Sequence, residues 1–590
     1  MTEHTEPRQT SGSSRPVGHG DHADAVEPAA DPARATHAPG DYPEMSDFFA
    51  TVRIDEGASI RTDSDGDLWP TTWADDGHLY TANGDGAGFS DGEYTDIVVS
   101  RIEGTPASGI TGERLASGRD VAPIWGDPAM VNSKPTGIVA VDGNGDGRDE
   151  LYLAVQDLAC TPDRIFDEAP AAGVVASEDY GRTWRAPDGP MFTDHTFTTV
   201  MFLDFGRSQE HARVLGTDGT EGEGYVYAYG LDGNWRTSHK GIVPDPQELF
   251  LARVRADRVL RREAWEFYCG RNDDGTPRWH RDIGAKRPVL TDRRRPYAPH
   301  PDAVTVPRSP EGPSVIAQGG IVYNAPLRRY LYSSWSEFTL ELYEAPAPWG
   351  PWRHVASHDF GPFPWTGPLA DHPRHGGYGT TIPAKFISAD GQDMWLQSNW
   401  FVRASSYHGS AYHYSLRHIR LAIRDDAPAS NTVDPAANLA RETGAVPIAS
   451  TTRSGHPEVL TDGATDRAED SWNGSGKQQD HWGVTWPRHH RVDTVRWTSG
   501  PRDYNGGWFA RPPAIEIRSA GRWRQVADQV IDRPYATDAT STGRRAYTVR
   551  FAPVEADGIR LVGPPGGWSR YSTLSELEVY HSGGGELPAS

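Results

Sequence analysis

From Val52 to about Asp425, apolar and polar residues alternate in short runs closed by Gly, Pro, Asn or Asp. β-branched and aromatic residues dominate the runs at 97–102, 137–141, 151–155, 174–177, 225–229, 249–254, 329–335, 339–344, 393–399 and 415–423. Runs of this length and punctuation predict strands. Helical spacing is convincing only in "DRVLRREAWEF", which predicts one short helix in a connecting loop over 256–268. About 370 residues of short strands in one block predict a β-propeller. Four-stranded blades of roughly 40–75 residues make five blades the best fit. The polar, Pro/Ala-rich segment 426–446 predicts a linker. Strand and turn signals over 447–581 predict a β-sandwich, and 582–590 a flexible end. Residues 1–45, polar and without an apolar pattern, predict a disordered tail. The expected fold class is all-β, a propeller (46–425) followed by a sandwich.

Composition narrows the class further. The 590 residues include 63 Gly, 47 Pro and 20 Trp, which excludes coiled coils and helical repeats. No apolar run reaches the roughly 18 residues of a membrane span. A net charge of −23 argues against a nucleic-acid partner. Of 58 basic residues only five are Lys, so Arg abundance by itself signals no anion site. Two cysteines, Cys160 and Cys269, make no disulfide framework. Residues 1–40 show no signal-peptide h-region.

The densest chemistry lies in "GDLWPTTWADDGHLYTANGDGAGF" (66–89). It reads as a hairpin turning at Asp75-Asp76-Gly77. Asp67 and Asp85 stand nine residues either side of Asp76, so antiparallel pairing brings them together at the open end. Two neighbouring carboxylates, one protonated and one ionised, are what glycoside hydrolysis requires. Trp69, Trp73 and Tyr80 offer faces on which a sugar ring could stack. A propeller also funnels residues from separate blades to one axial pocket, which nominates His195, Asp204, His375, Tyr378, Asn399 and Trp400 for substrate binding.

"SEDYGRTW" (177–184) matches the Asp-box of propeller proteins and is read as a fold signal. "DGNGDGRDE" places Asp142, Asn144, Asp146 and Glu150 at oxygen-ligand spacing, a candidate calcium loop whose alternative is an acidic hairpin turn. In the C-terminal unit, Asp462, Thr465 and Asp466 lie near the start and Glu576 near the end. First and last strands of a sandwich often meet, making these a second candidate structural calcium site. No catalytic cofactor is expected.

Two resemblances rest on these and neighbouring motifs. "LTDGATD…SWNG", "HWGVTWPRHHRVDTVRW" and "SELEVY" resemble the coagulation factor 5/8 type C (discoidin) domain, the jelly-roll, galactose-binding-like fold shared by family 32 carbohydrate-binding modules. That resemblance implies a calcium site at Asp462 and Glu576. "GDLWPTTWADDGHLYTANGDG", "SKPTGIV", "FLDFG", "FLARVRADRVLRREAWEFYCG" and "IPAKFISADGQDMWLQSNW" resemble, in order, a propeller family that includes endo-D-arabinanases. It implies a catalytic pair of early Asp residues, which Asp67 and Asp85 match. The expectation is a glycoside hydrolase acting as a monomer on a polysaccharide or glycoconjugate. The alternative is a non-catalytic lectin or adhesin. The domain content implies an extracellular or cell-surface location, with a cytoplasmic one as the alternative.

Overall fold

The computed structural model describes residues 41–215, 224–238, 240–295, 312–336, 339–360, 379–401, 412–427, 429, 434–472, 476–519, 521–537, 543–585 and 587. Every strand predicted above is present, and the architecture is a five-bladed β-propeller followed by a β-sandwich.

Blade 1 contains Asp65–Asp67 and Thr71–Trp73 as a broken inner strand, then Leu79–Gly88, Thr95–Thr105 and Gly109–Ser117. Blade 2 runs Val131–Val141, Glu150–Ala159, Ala171–Ser177 and Phe192–Thr193. Blade 3 opens on Thr199–Asp204 and blade 4 on Gly320–Asn324. Blade 5 is closed by the start of the chain. Phe49–Arg61 pairs antiparallel with Tyr412–Ile423, which pairs with Asp393–Phe401. Its innermost position is Thr381, bridged to Gln397. A cavity of about 20 Å³ on the axis is lined from all five blades, by Thr71, Ile138, Met201, Ile321 and Thr381 among others. That is room for about one water.

The Asp-box behaves as a fold device. Asp179 accepts from the Arg182 and Thr183 amides, while the Ser177 hydroxyl accepts from the Gly181 amide. Trp184 packs on the core shared by blades 1 and 2. The helix expected over 256–268 is absent. Short 3-10 turns at Ala256–Arg258 and Arg262–Ala264 lead into the strand Glu266–Arg271. Val259, Trp265 and Phe267 enter one core through these turns, which mimics helical spacing.

In the sandwich, the long strand Asp480–Ser499 serves both layers. Its first part pairs with Val446–Ala449, and its last part with Thr573–Tyr580. Trp482, Trp486 and Trp497 fill the core with Tyr547 and Phe509. Leu439 and Ala440 belong to that core and Trp486 Nε1 donates to the Leu439 carbonyl, so the sandwich begins ahead of 447. It is also docked on the propeller. Arg424, just beyond the last propeller strand, pairs with the buried Asp557, which also binds Arg518. Arg518 in turn donates to the Ala50 carbonyl of the ring-closing strand.

Candidate active site

The hairpin of blade 1 has the predicted turn but not a uniform register. Thr71 faces Thr81 and Trp73 faces Leu79, whereas Asp67 faces Gly84. The one-residue slip falls at Leu68 and Trp69, both left-handed, with φ of 74° and 53°. Such backbone is costly for residues with a Cβ and is held by its surroundings. Leu68 turns onto the axis, where it packs with Leu158, Trp235, Ala317, Trp335 and Tyr412, so all five blades contribute to one apolar plug. Trp69 turns the other way, fully buried against Phe89 and Tyr414, and its Nε1 donates to the Gly66 carbonyl at 2.8 Å.

The slip leaves Asp67 and Asp85 at the same open end, one residue out of direct opposition. Asp67 is 7% exposed. Asp85, itself left-handed with φ 41°, accepts a hydrogen bond from Lys134 Nζ on the inner strand of blade 2. The Lys134 side chain is 2% exposed, and its ammonium also reaches the Asp96 carbonyl at 3.4 Å. Tyr94 bonds to Asp85 through its hydroxyl. Burial, with Asp85, Asp67 and Asp65 close by, raises that phenol far above its ordinary range, so it stays protonated as a donor. Gly84 makes the packing possible. A Cβ there would lie 2.6 Å from Asp67 Oδ1 and 3.1 Å from Lys134 Cδ. Gly84→Ala is therefore expected to push the Asp67 carboxyl aside and cut turnover at least about tenfold, with a melting temperature near wild type. Steady-state kinetics beside a thermal melt check this.

Asn399 joins this end of the site. A Cβ on Gly379 would lie 3.0 Å from Leu68 Cα and 3.3 Å from Asn399 Nδ2. The Asn399 side chain is buried, and its Nδ2 has no hydrogen-bond partner among the described residues. His195 is held by Glu168 Oε2 at 3.0 Å and its amide lies 3.5 Å from the Pro170 carbonyl, on the loop that also supplies Phe166 and Ala169 to the axial plug. His375 and Tyr378 lie outside the described residues, as does the side chain of Trp400.

Four nominated substrate contacts are corrected. Trp69 has no face free for a sugar. Tyr80 is buried, with its hydroxyl on Asp76 Oδ2 at 2.6 Å, at the turn end of the hairpin away from the acids. Trp73 sits at that same turn end, its Nε1 3.3 Å from the Gly77 carbonyl. Asp204 closes the far end of the inner strand of blade 3, where its carboxylate accepts from the Gly206 and Ala384 amides. Burial pushes Asp204 up to about 6. Conversely, sequence reasoning nominated neither Asp65 and Tyr94, which flank the hairpin segment, nor Lys134, Trp235 and Trp335, which the fold brings in from other blades.

The two candidate calcium loops differ. In 142–150 the carboxylates are occupied by the loop itself. Asp142 accepts from the Gly145 and Gly147 amides, and Glu150 from those of Gly143 and Asn144, with the Asn144 side chain on Glu150 and the Asp146 carboxylate accepting from the Arg148 amide. In this structure the loop closes as an acidic turn on its own amides. In the sandwich, Glu576 accepts from the Gly463 amide and lies near Asp462. Burial, with Glu578 and Asp462 adding repulsion, pushes Glu576 up to about 8. Asp462 also accepts from the Ala464 amide and is paired with Arg467, and Thr465 and Asp466 are exposed. Among the described residues no group of three or more His, Cys, Asp or Glu gathers as a metal site.

Fold and site together define a five-bladed propeller that carries a pair of acids in blade 1, joined to a β-sandwich. No protein-family model matches the chain, and no curated protein matches it. Among solved structures, a GH43_1 enzyme from Xanthomonas citri is 15% identical, with 64% of this chain and 92% of that one covered at a TM-score of 0.31. The family 32 carbohydrate-binding module of Clostridium perfringens NanJ, solved with galactose, is 20% identical over 24% of this chain and 95% of that one, at a TM-score of 0.19. A second C. perfringens module, CpGH89CBM32-5, solved with GalNAc-β-1,3-galactose, is 13% identical over 23% and 95%, at 0.18. Among the described residues, no helix is long and apolar enough to cross a membrane.

Proposed function

We propose that this protein is a glycoside hydrolase that cleaves a polysaccharide of arabinan or arabinogalactan type, with Asp67 and Asp85 as its acid and base or nucleophile. The observation that carries this reading is the acid pair packed about Gly84 at the axial mouth, with a buried ammonium on one member. One carboxyl protonates the leaving oxygen, and the other activates water or attacks the anomeric carbon. The sandwich holds the same polysaccharide. Trp568 and Tyr504 are 88% and 77% exposed and adjacent, with the Trp568 amide 3.3 Å from the Tyr504 carbonyl. Flat, wet aromatic faces of this kind suit sugar rings. An extracellular or cell-surface site of action follows from such a substrate.

Incubation with arabinan, arabinogalactan and plant and algal polysaccharides, with products resolved by chromatography, tests the reading. Release of new reducing ends is the expected result. Binding to a polysaccharide without release would overturn it in favour of the lectin alternative.

Calcium at Asp462 and Glu576 belongs to the same proposal, as a structural ion of the sandwich. At a hundredfold excess over its Kd, calcium is expected to raise the melting temperature of the sandwich by about 4–10 °C at pH 8. In Glu576→Gln that response is expected to vanish. Differential scanning fluorimetry with calcium and with EGTA reads both arms.

A further inference from the structure

Blades 2 and 3 bring a second polar group to the axial plug. Leu68 enters the plug directly after Asp67, and Ala169 enters it directly after Glu168. Ala159 pairs with Val131, at the start of the strand that carries Lys134, and its amide donates to the Glu168 carbonyl at 3.0 Å. The next residue, Cys160, lies close enough to Lys134 and Asp85 to feel both charges. Glu168 therefore stands at the acids' end of blade 2. Its Oε1 takes Arg164 at 2.7 Å and its Oε2 takes His195 Nε2 at 3.0 Å.

His195 lies on the connection from blade 2 to blade 3, between two loops that feed the plug. Its amide lies 3.5 Å from the Pro170 carbonyl, and its carbonyl accepts from the Gly233 amide at 2.8 Å. The first loop supplies Phe166 and Ala169 to the plug, the second Trp235. Asp194, His195 and Phe197 are left-handed, with φ of 56°, 57° and 57°, as is Phe166 at 55°. Such backbone, in residues with a Cβ, is kept by its surroundings and gathers at functional sites. The His195 side chain is 31% exposed. A carboxylate only accepts, so Nε2 donates to Glu168 and the neutral ring presents Nδ1 as an acceptor. Among the described residues, Nδ1 makes no hydrogen bond. One fixed nitrogen, one open nitrogen and an apolar floor suit a sugar, which has an apolar ring face and a hydroxyl edge.

We propose that His195, held by Glu168, is a substrate-binding residue whose Nδ1 accepts from a hydroxyl of the polysaccharide chain at the plug. This deepens the glycosidase reading above and rests on it.

The test is kcat and KM on the polysaccharide that yields product in the screen, for wild type, His195→Ala, His195→Asn and His195→Gln, beside thermal melts. His195→Ala is expected to raise KM about tenfold with kcat changed less than about threefold, because it removes a contact made before and during reaction. An Asn amide stands where Nδ1 stood, so His195→Asn is expected to return KM towards wild type. A Gln amide reaches Glu168 but leaves the place of Nδ1 empty, so His195→Gln is expected to keep KM high. A histidine that merely ties the loop to Glu168 would give the opposite order. Recovery of KM in His195→Gln, or an unmoved KM in folded His195→Ala, overturns the proposal. If His195→Ala does not fold by circular dichroism, the His195→Gln result alone decides. Should the screen show binding without release, the glycosidase reading falls and the same variants are read by Kd. A Trp568→Ala background then silences the exposed face of the sandwich. A tenfold weaker Kd in His195→Ala and His195→Gln sustains the subsite, and an unchanged Kd overturns it. Release of product with KM unmoved in every variant leaves the glycosidase standing and removes only the role of His195.

Discussion

Asp67→Asn and Asp85→Asn are each expected to cost about 100-fold or more on polysaccharide, and the two should part on an activated aryl glycoside. A sugar leaving group needs a proton as its bond breaks, and removing the general acid costs about 10²–10⁴-fold. A dinitrophenolate leaves without one, so the variant that lacks the acid should fall less than about tenfold on that substrate. Nothing replaces the base or nucleophile, because an amide cannot take a proton from water or bond to the anomeric carbon, so the other variant should lose turnover on both substrates. Initial rates of both variants on both substrates read the prediction and assign the roles. Wild-type turnover on polysaccharide in both variants would sink the acid pair.

Pairing of the two acids was legible because a hairpin obeys a counting rule. Nine residues either side of Asp76 is a statement about register, and the Asp-Gly turn pins that register. The rule was off by one where Leu68 and Trp69 take left-handed backbone, a local strain with no sequence signature in residues that ordinarily avoid it. The same slip explains why Trp69 was misjudged. Alternation marks which residues share a face, and the slip exchanges the faces, sending Trp69 into the core between blades. Trp73 and Tyr80 were near the acids in sequence but lie at the other end of the hairpin. Lys134 lies in the "SKPTGIV" run, but nothing in that run points to Asp85; it stands 49 residues after Asp85 in the neighbouring blade, and the packing of blade 2 on blade 1 brings it into contact. Strand runs and the Asp-box needed no such packing, since their signals are local pattern and turn chemistry.

The second large effect concerns stability. Asp557→Ala is expected to lower the melting temperature by roughly 5–10 °C, the largest loss of any single polar substitution at the junction. Asp557 is fully buried on the sandwich strand Ala546–Gly563 and binds the guanidinium groups of Arg424 and Arg518 at once. Burial, with Arg424 and Arg560 near it, pulls Arg518 down to about 9. The carboxylate is therefore what makes this gathering of cations tolerable. Removing it strands two buried guanidiniums, and breaking a buried pair from one side costs about 3–5 kcal/mol. The consequence reaches the active site through the ring. Arg518 holds the Ala50 carbonyl at the start of the strand that closes blade 5, and Arg424 donates to the Asp47 carbonyl just ahead of it. The sandwich thus clasps the propeller shut as well as adding a binding face. Calorimetry of Asp557→Ala should show the coupled transition move down, with Asp557→Asn between it and wild type. Two transitions at unchanged temperatures would mean that the propeller closes without the clasp.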